Sequence, residues 1–178
     1  NEKYIKSKKI KHPNYSIEDI KFRLVRDIFL TKSEYEKIMY LMIKEKNFDS
    51  KKFWSKLFFT KNDLIKLKDL GHQIGLHTHS HPTLIEKLSF DDQKIEYEKC
   101  RSIISKILNL SPRDVKFMSH PCGSYNEETL KILKDMGIEL GFKQIMTIEP
   151  EKKMKKINNS FSEIARQDHS RIFSKMKL

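Results

Sequence analysis

The sequence predicts an α/β fold whose core is a parallel sheet built from strand–helix–strand units, open or closed into a barrel. Three observations carry this reading. From Asp63 onward the pattern runs helix, strand, helix, strand, helix, strand, the signature of parallel crossovers. Capping residues and glycines punctuate the helices, with Gly71 and Gly137 as stops. Two chemically loaded loops, one at His77 and one at Pro121, leave the carboxyl ends of predicted strands, where ligands of such folds gather.

In chain order, residues 1–15 are basic and polar, broken by Pro13, and read as a loop. Ser16-Ile17-Glu18-Asp19 is a capping-box pattern opening a helix with Ile17, Ile20, Leu24 and Ile28 on one face. Thr31-Lys32-Ser33-Glu34 repeats the signal, and Tyr35, Ile38, Met39 and Met42 follow at helical spacing. Phe53, Trp54, Leu57 and Phe58 form a short helical segment read as core, with the wall of a substrate groove as the alternative. Thr60 and Asp63 open a helix through Leu70, and His72–Leu76 reads as a short buried strand. Ser89 caps a long helix carrying Ile95, Cys100, Ile103, Ile104 and Ile107. Val115–Met118 is a second strand, and a helix from Glu127 turns Leu130, Leu133 and Met136 inward. Ile138–Phe142 is a third strand, residues 149–159 a lysine-rich loop, and Phe161–Ala165 a last strand before a basic tail.

At 178 residues the chain is expected to form a single domain, 1–178. Its net charge of +12, from 36 basic and 24 acidic residues, is spread along every helix as lysine. No arginine stripe with interleaved aromatics and no nucleic-acid motif accompanies it, so no specific nucleic-acid partner is expected. There is no transmembrane span and no signal-peptide core. The two cysteines, Cys100 and Cys122, form no CxxC pair, which points to a reducing compartment, and with no export signal visible a cytoplasmic protein is expected.

The chemistry concentrates at Gly75-Leu76-His77-Thr78-His79-Ser80-His81-Pro82, where three of the seven histidines alternate. Extended backbone would put all three on one face, whereas a turn at Ser80 would bring His77 and His81 together. Imidazole is the commonest protein ligand for zinc-like metals.

His77-Thr78-His79-Ser80-His81-Pro82 resembles the His-Ser/Thr-x-x-His-Pro motif of the polysaccharide deacetylases of the NodB-homology group. Ser119-His120-Pro121-Cys122-Gly123 resembles their later Arg-x-Pro-Tyr/Phe-Gly motif, and the likeness covers roughly residues 60–145. The resemblance implies a distorted parallel (β/α) barrel and a divalent metal, zinc above all, with His77 and His81 among its ligands. It implies hydrolytic removal of an N-acetyl or other acyl group from an amino-sugar carbohydrate. The backbone N–H of Cys122 would stabilise the oxyanion, Pro121 and Gly123 would shape the loop, and Tyr125 would face substrate.

The sequence departs from the family in two places. Nothing before His77 resembles Thr-Phe-Asp-Asp-Gly, the motif that supplies the metal aspartate and the base, and Ser119 stands where the family has arginine. Arg166 and Asp168 are candidates to replace part of that charge network, and His169 to protonate the leaving amine. The expected fold is therefore the family barrel without its first strand, the domain N-terminally incomplete. Two histidines alone are not expected to complete a family-type site. Two other readings stand beside this one: a non-catalytic carbohydrate-binding barrel, and a metal phosphoesterase of the polymerase-and-histidinol-phosphatase type, whose His-x-His-Ser opening Leu76-His77-Thr78-His79-Ser80 also resembles. Reading the coding sequence immediately upstream of Asn1 tests the incomplete-domain expectation. An in-frame strand followed by Phe-Asp-Asp-Gly supports it, and a start codon without that motif overturns it.

Overall fold

A computed structural model gives the fold, describing residues 2–144 and 160–166 together with residues 172 and 176. The chain divides into two compact units, Asn1–Leu57 and Phe58–Leu178.

The first unit is helical. Helix α1 (Glu2–Lys11) occupies the stretch read as a loop. Nothing before Pro13 breaks a helix, and Lys8 Nζ lies 5.4 Å from the Tyr4 ring centroid one turn back. The chain leaves the helix at His12, because the residue before proline disfavours helical backbone. Helix α2 (Ile17–Leu24) starts at the expected capping box, Asp19 N–H donating to Ser16 Oγ at 2.9 Å and Ser16 N–H to Asp19 Oδ2 at 3.1 Å. Ile20 and Leu24 are buried, but Ile28 is 56% exposed. A π-helical turn over Val25–Phe29 inserts the extra residue that rotates Ile28 off the stripe.

Helix α3 (Lys32–Glu45) begins at the Thr31–Glu34 capping box and buries none of its residues. Helix α4 (Ser50–Leu57) starts where Asp49 Oδ1 accepts from the N–H groups of Lys51 and Lys52. Phe53 stacks on Phe48 with centroids 5.3 Å apart, while Trp54 and Leu57 are 60% and 66% exposed. The aromatic segment is a helix as expected, but these two side chains are not core. Phe58, which opens the second unit, is also exposed.

The second unit holds the sheet. Helix α5 (Lys61–Asp69) carries the Thr60–Asp63 capping box, and Gly71 follows it at φ +86°. Only Leu76 of the expected first strand joins the sheet: its N–H donates to Phe117 O at 2.8 Å, and Ser119 N–H to Leu76 O at 2.9 Å. Strands β1 (Phe117–Ser119) and β2 (Leu140–Phe142) pair in parallel, with Met118 opposite Gly141. Ile164 then bridges to Phe142, also in parallel. The expected last strand is instead a 3-10 turn, Phe161–Glu163, followed by that single bridge. The order across the sheet is therefore Leu76, β1, β2, Ile164. At Gly75 and Gly141 the neighbouring backbone comes too close to admit a side chain.

Helix α6 (Phe90–Leu108) links Leu76 to β1, and helix α7 (Glu127–Asp135) links β1 to β2. The core between them includes Leu76, Tyr97, Ile104, Met118, Ile132 and Leu133. Ile95 and Ile103, expected inward, are 44% and 46% exposed. Gln93 and Tyr97 take the inner face of that half of α6 instead. Gln93 is tolerated there because Nε2 donates to Leu88 O at 3.0 Å and Oε1 accepts from Thr129 Oγ1 at 2.6 Å. Among the described residues, no helix is long and apolar enough to cross a membrane.

A Cβ at Gly75 would sit 2.7 Å from Phe117 O, and one at Gly141 2.6 Å from Ser162 O. Gly75→Ala and Gly141→Ala are each expected to lower stability by about 1–3 kcal/mol in urea unfolding, since backbone must move to admit the methyl.

Candidate functional site

Because Leu76 is bonded on both sides of its peptide to β1, the next residue, His77, emerges beside the end of that strand. Its Nδ1 lies 2.7 Å from Ser119 O. A carbonyl only accepts, so Nδ1 carries the proton and Nε2 keeps its lone pair.

The chain then turns sharply. Thr78 at φ +65° and His81 at φ +53° both occupy the left-handed region, at a cost of about 1–3 kcal/mol each. Thr78 is buried, and its hydroxyl donates to His77 O at 2.6 Å. His79 N–H and Ser80 N–H donate to Glu96 Oε2 at 2.9 and 2.7 Å, and Ser80 Oγ donates to Glu96 Oε1 at 2.6 Å. The extended alternative is not realised. The turn sets the His77 and His81 rings 4.9 Å apart between centroids, edge to face at 63°.

Two exposed imidazoles, one with its donor nitrogen already satisfied, fit as a pair of ligands for a zinc-like ion. Among the described residues, no group of three His, Cys, Asp or Glu could hold a metal. Most aspartates before His77 have other work. Asp19 and Asp63 close capping boxes, Asp49 caps α4, and Asp27 pairs with Arg26 at 2.7 Å. Asp92, after the loop, accepts from Ser89 Oγ.

The second loop leaves β1 at Ser119. His120 is 1% exposed, its N–H donates to Phe142 O, and its ring lies parallel to Tyr125 with centroids 4.3 Å apart. His120 Nε2 donates to Ser162 O at 2.8 Å, so Nδ1 is the unprotonated nitrogen; it has no partner among the described residues. Desolvation by burial pushes this imidazole below its ordinary value, while Ser162 O and Glu163 pull the other way.

Pro121 is buried and opens a 3-10 turn in which Cys122 (φ +53°) and Gly123 (φ +71°) are both left-handed. Cys122 is exposed. Tyr125 is not a free phenol. Its OH donates to the buried Glu163 at 2.9 Å, and burial first, then that bond, raises it to about 12. Ser160 Oγ donates to the other Glu163 oxygen. Arg166 Nε donates to Lys143 O at 2.8 Å, and Asp168 and His169 lie outside the described residues.

Sequence reasoning missed Glu96, His120 and Glu163. His120 stood inside a recognised motif as its variable position. The two glutamates carried no local signal for the site, since the site groups they hold, the 79–80 amides and the Tyr125 hydroxyl, lie 16 or more residues away.

A model of the polysaccharide deacetylase family matches residues 28–141. Among solved structures, the chain is similar to the Streptococcus pyogenes deacetylase PplD in complex with acetate, at TM-score 0.52 and 25% identity, over 61% of this chain and 44% of that one. It is also similar to the BpsB deacetylase domain from Bordetella bronchiseptica, at TM-score 0.48 and 12% identity, over 62% and 48%. A mutant CE4 family pseudoenzyme with restored enzymatic activity gives TM-score 0.44 and 20% identity, over 66% and 47%. The chain spans less than half the length of each of these structures. No curated protein matches it.

The buried His120 makes a pH dependence. Its native value lies below the unfolded value near 6.5, so the unfolded chain binds the proton first and stability falls as pH drops through that window. Urea unfolding at about pH 7.5 and about pH 5.5 is expected to show a smaller acid loss in His120→Phe than in the wild type. Equal losses would remove His120 from the acid response.

Proposed function

The chain belongs to the polysaccharide deacetylase family, and on that premise we propose that it serves metal-dependent removal of an N-acetyl or other acyl group from an amino-sugar carbohydrate or its precursor. The bond broken is a carbon–nitrogen bond other than a peptide bond. One observation carries the proposal: His77 and His81 face each other at 4.9 Å on a loop tied to Ser119, from which the Pro121–Gly123 turn leaves.

His77 and His81 would hold the ion, with zinc the metal that suits two imidazoles. Such an ion supplies Lewis acidity toward an acyl carbonyl and makes water nucleophilic near neutral pH. The protein's part is orientation. Ser119 O fixes the His77 tautomer, and the left-handed turn at His81 aims the second ring at the first. The backbone N–H of Cys122 is the proposed donor to the developing oxyanion, a role that asks nothing of its side chain. Pro121 and Gly123 set that turn, and the Tyr125 ring is the proposed sugar contact, its hydroxyl being engaged by Glu163. The proposed architecture is the family's distorted barrel, the small parallel sheet forming part of its wall. The proposed setting is the cytoplasm, with a precursor of cell-envelope polysaccharide as substrate.

A second reading has its own observation. No third ligand stands with the two histidines among the described residues, which favours a barrel that binds carbohydrate without turning it over. The family match sets the phosphoesterase reading aside.

One experiment separates the two readings. The chain is titrated with Zn2+ and then incubated with an N-acetylated chito-oligosaccharide while free acetate is measured. The hydrolase reading expects zinc binding weakened about tenfold or more by His77→Ala and by His81→Ala, with acetate release that needs zinc and is lost in both variants. Oligosaccharide binding that persists without zinc, with no acetate released, would overturn it in favour of the binding barrel.

A further inference from the structure

We infer that Glu96 is a positioning residue for the His77–His81 pair: from helix α6 its carboxylate holds the loop in the turn that makes the two imidazoles face each other. Three hydrogen bonds carry this. Oε2 accepts from two consecutive backbone N–H groups, His79 and Ser80, and Oε1 accepts from the Ser80 hydroxyl. Consecutive N–H groups converging on one oxygen form a concave anion seat, here filled by a side chain of the same protein.

The carboxylate comes from a firm support. The adjoining Tyr97 and, one turn earlier, Gln93 are fully buried, and α6 packs through Tyr97, Ile104 and Leu108 into the core. On either side of the seat, Thr78 and His81 are left-handed non-glycine residues, a conformation that relaxes unless something opposes it. Without the acceptor, His79 and Ser80 N–H turn to water, the backbone reverts toward extended geometry, and His81 leaves His77. The spacing of the two metal-type ligands is thus set by a residue that is not itself a ligand.

The consequence for metal binding rests on the reading given under Proposed function, so the test has one arm that needs no metal. In the metal-free 178-residue chain, Glu96→Ala is expected to abolish the nuclear Overhauser contact between the His77 and His81 rings. It is also expected to speed amide exchange at His79 and Ser80 on the order of 100-fold relative to core amides. In a Zn2+ titration the same variant is expected to lose about tenfold in affinity or more. Glu96→Gln keeps an oxygen for the two N–H groups and is expected to retain the ring contact and most of the affinity. It also serves as the folded comparison if Glu96→Ala proves too unstable to measure.

Persistence of the ring contact and of slow exchange in Glu96→Ala overturns the inference, as does a Gln variant as impaired as the Ala variant. A wild-type chain with the ring contact but no zinc binding overturns the metal reading while leaving the role of Glu96 standing.

Discussion

The two loops at the strand ends depend on the pairing of one residue, Leu76, with the neighbouring strand. Two hydrogen bonds, to Phe117 O and from Ser119 N–H, hold it in the sheet, and its side chain is buried at 1% exposure. With Leu76 fixed, His77 has little choice but to stand beside Ser119, and the carbonyl there decides which ring nitrogen carries the proton. The same strand end launches His120 and the Pro121 turn. Both loops therefore inherit their places from a single parallel register, and at Gly75 the backbones approach too closely to admit a side chain.

A second economy is polar. The loops at the strand ends draw several polar groups to partners distant in sequence, although His120 Nδ1 has none among the described residues. His120 reaches Ser162, Tyr125 reaches Glu163, and the 79–80 amides reach Glu96. Polar groups so connected specify one arrangement over its neighbours, because any slippage leaves several donors or acceptors unpaired at once. The aspartates upstream show the other use of carboxylates in this chain. Asp19 and Asp63 complete capping boxes, satisfying helix N-termini that would otherwise present bare N–H groups.

What was legible in the sequence was what is local. The capping boxes at Ser16, Thr31 and Thr60 and the glycine stops depend on residues within one turn of each other, and the structure has them; of the expected strand–helix alternation it keeps two short strands, with Leu76 and Ile164 joining as single bridges. The family was legible from two short motifs, and the match over 28–141 includes both. Three other features were hidden for identifiable reasons. The π-helical turn at Val25–Phe29 changes the helical period without a proline or glycine to announce it. The inner face of α6 passes through Gln93, whose polarity is neutralised by Thr129, a residue 36 positions away. Glu96 looks like any solvated helix glutamate until α6 is laid against the histidine loop.

The parallel register also bears on how the molecule assembles in time. No neighbours in this sheet are joined by a hairpin. Leu76 meets Met118 across 42 residues, and β1 meets β2 across 23. The loop-closure penalty separating these two steps is only about 0.5 kcal/mol. Neither crossover gains a large head start, and each must close before its own pairing rewards it. The histidine pair accordingly depends on two long-range contacts, α6 against its loop and Leu76 against β1. Before both are made, His77 and His81 are not held facing each other, and an ion would meet two separate imidazoles rather than a site.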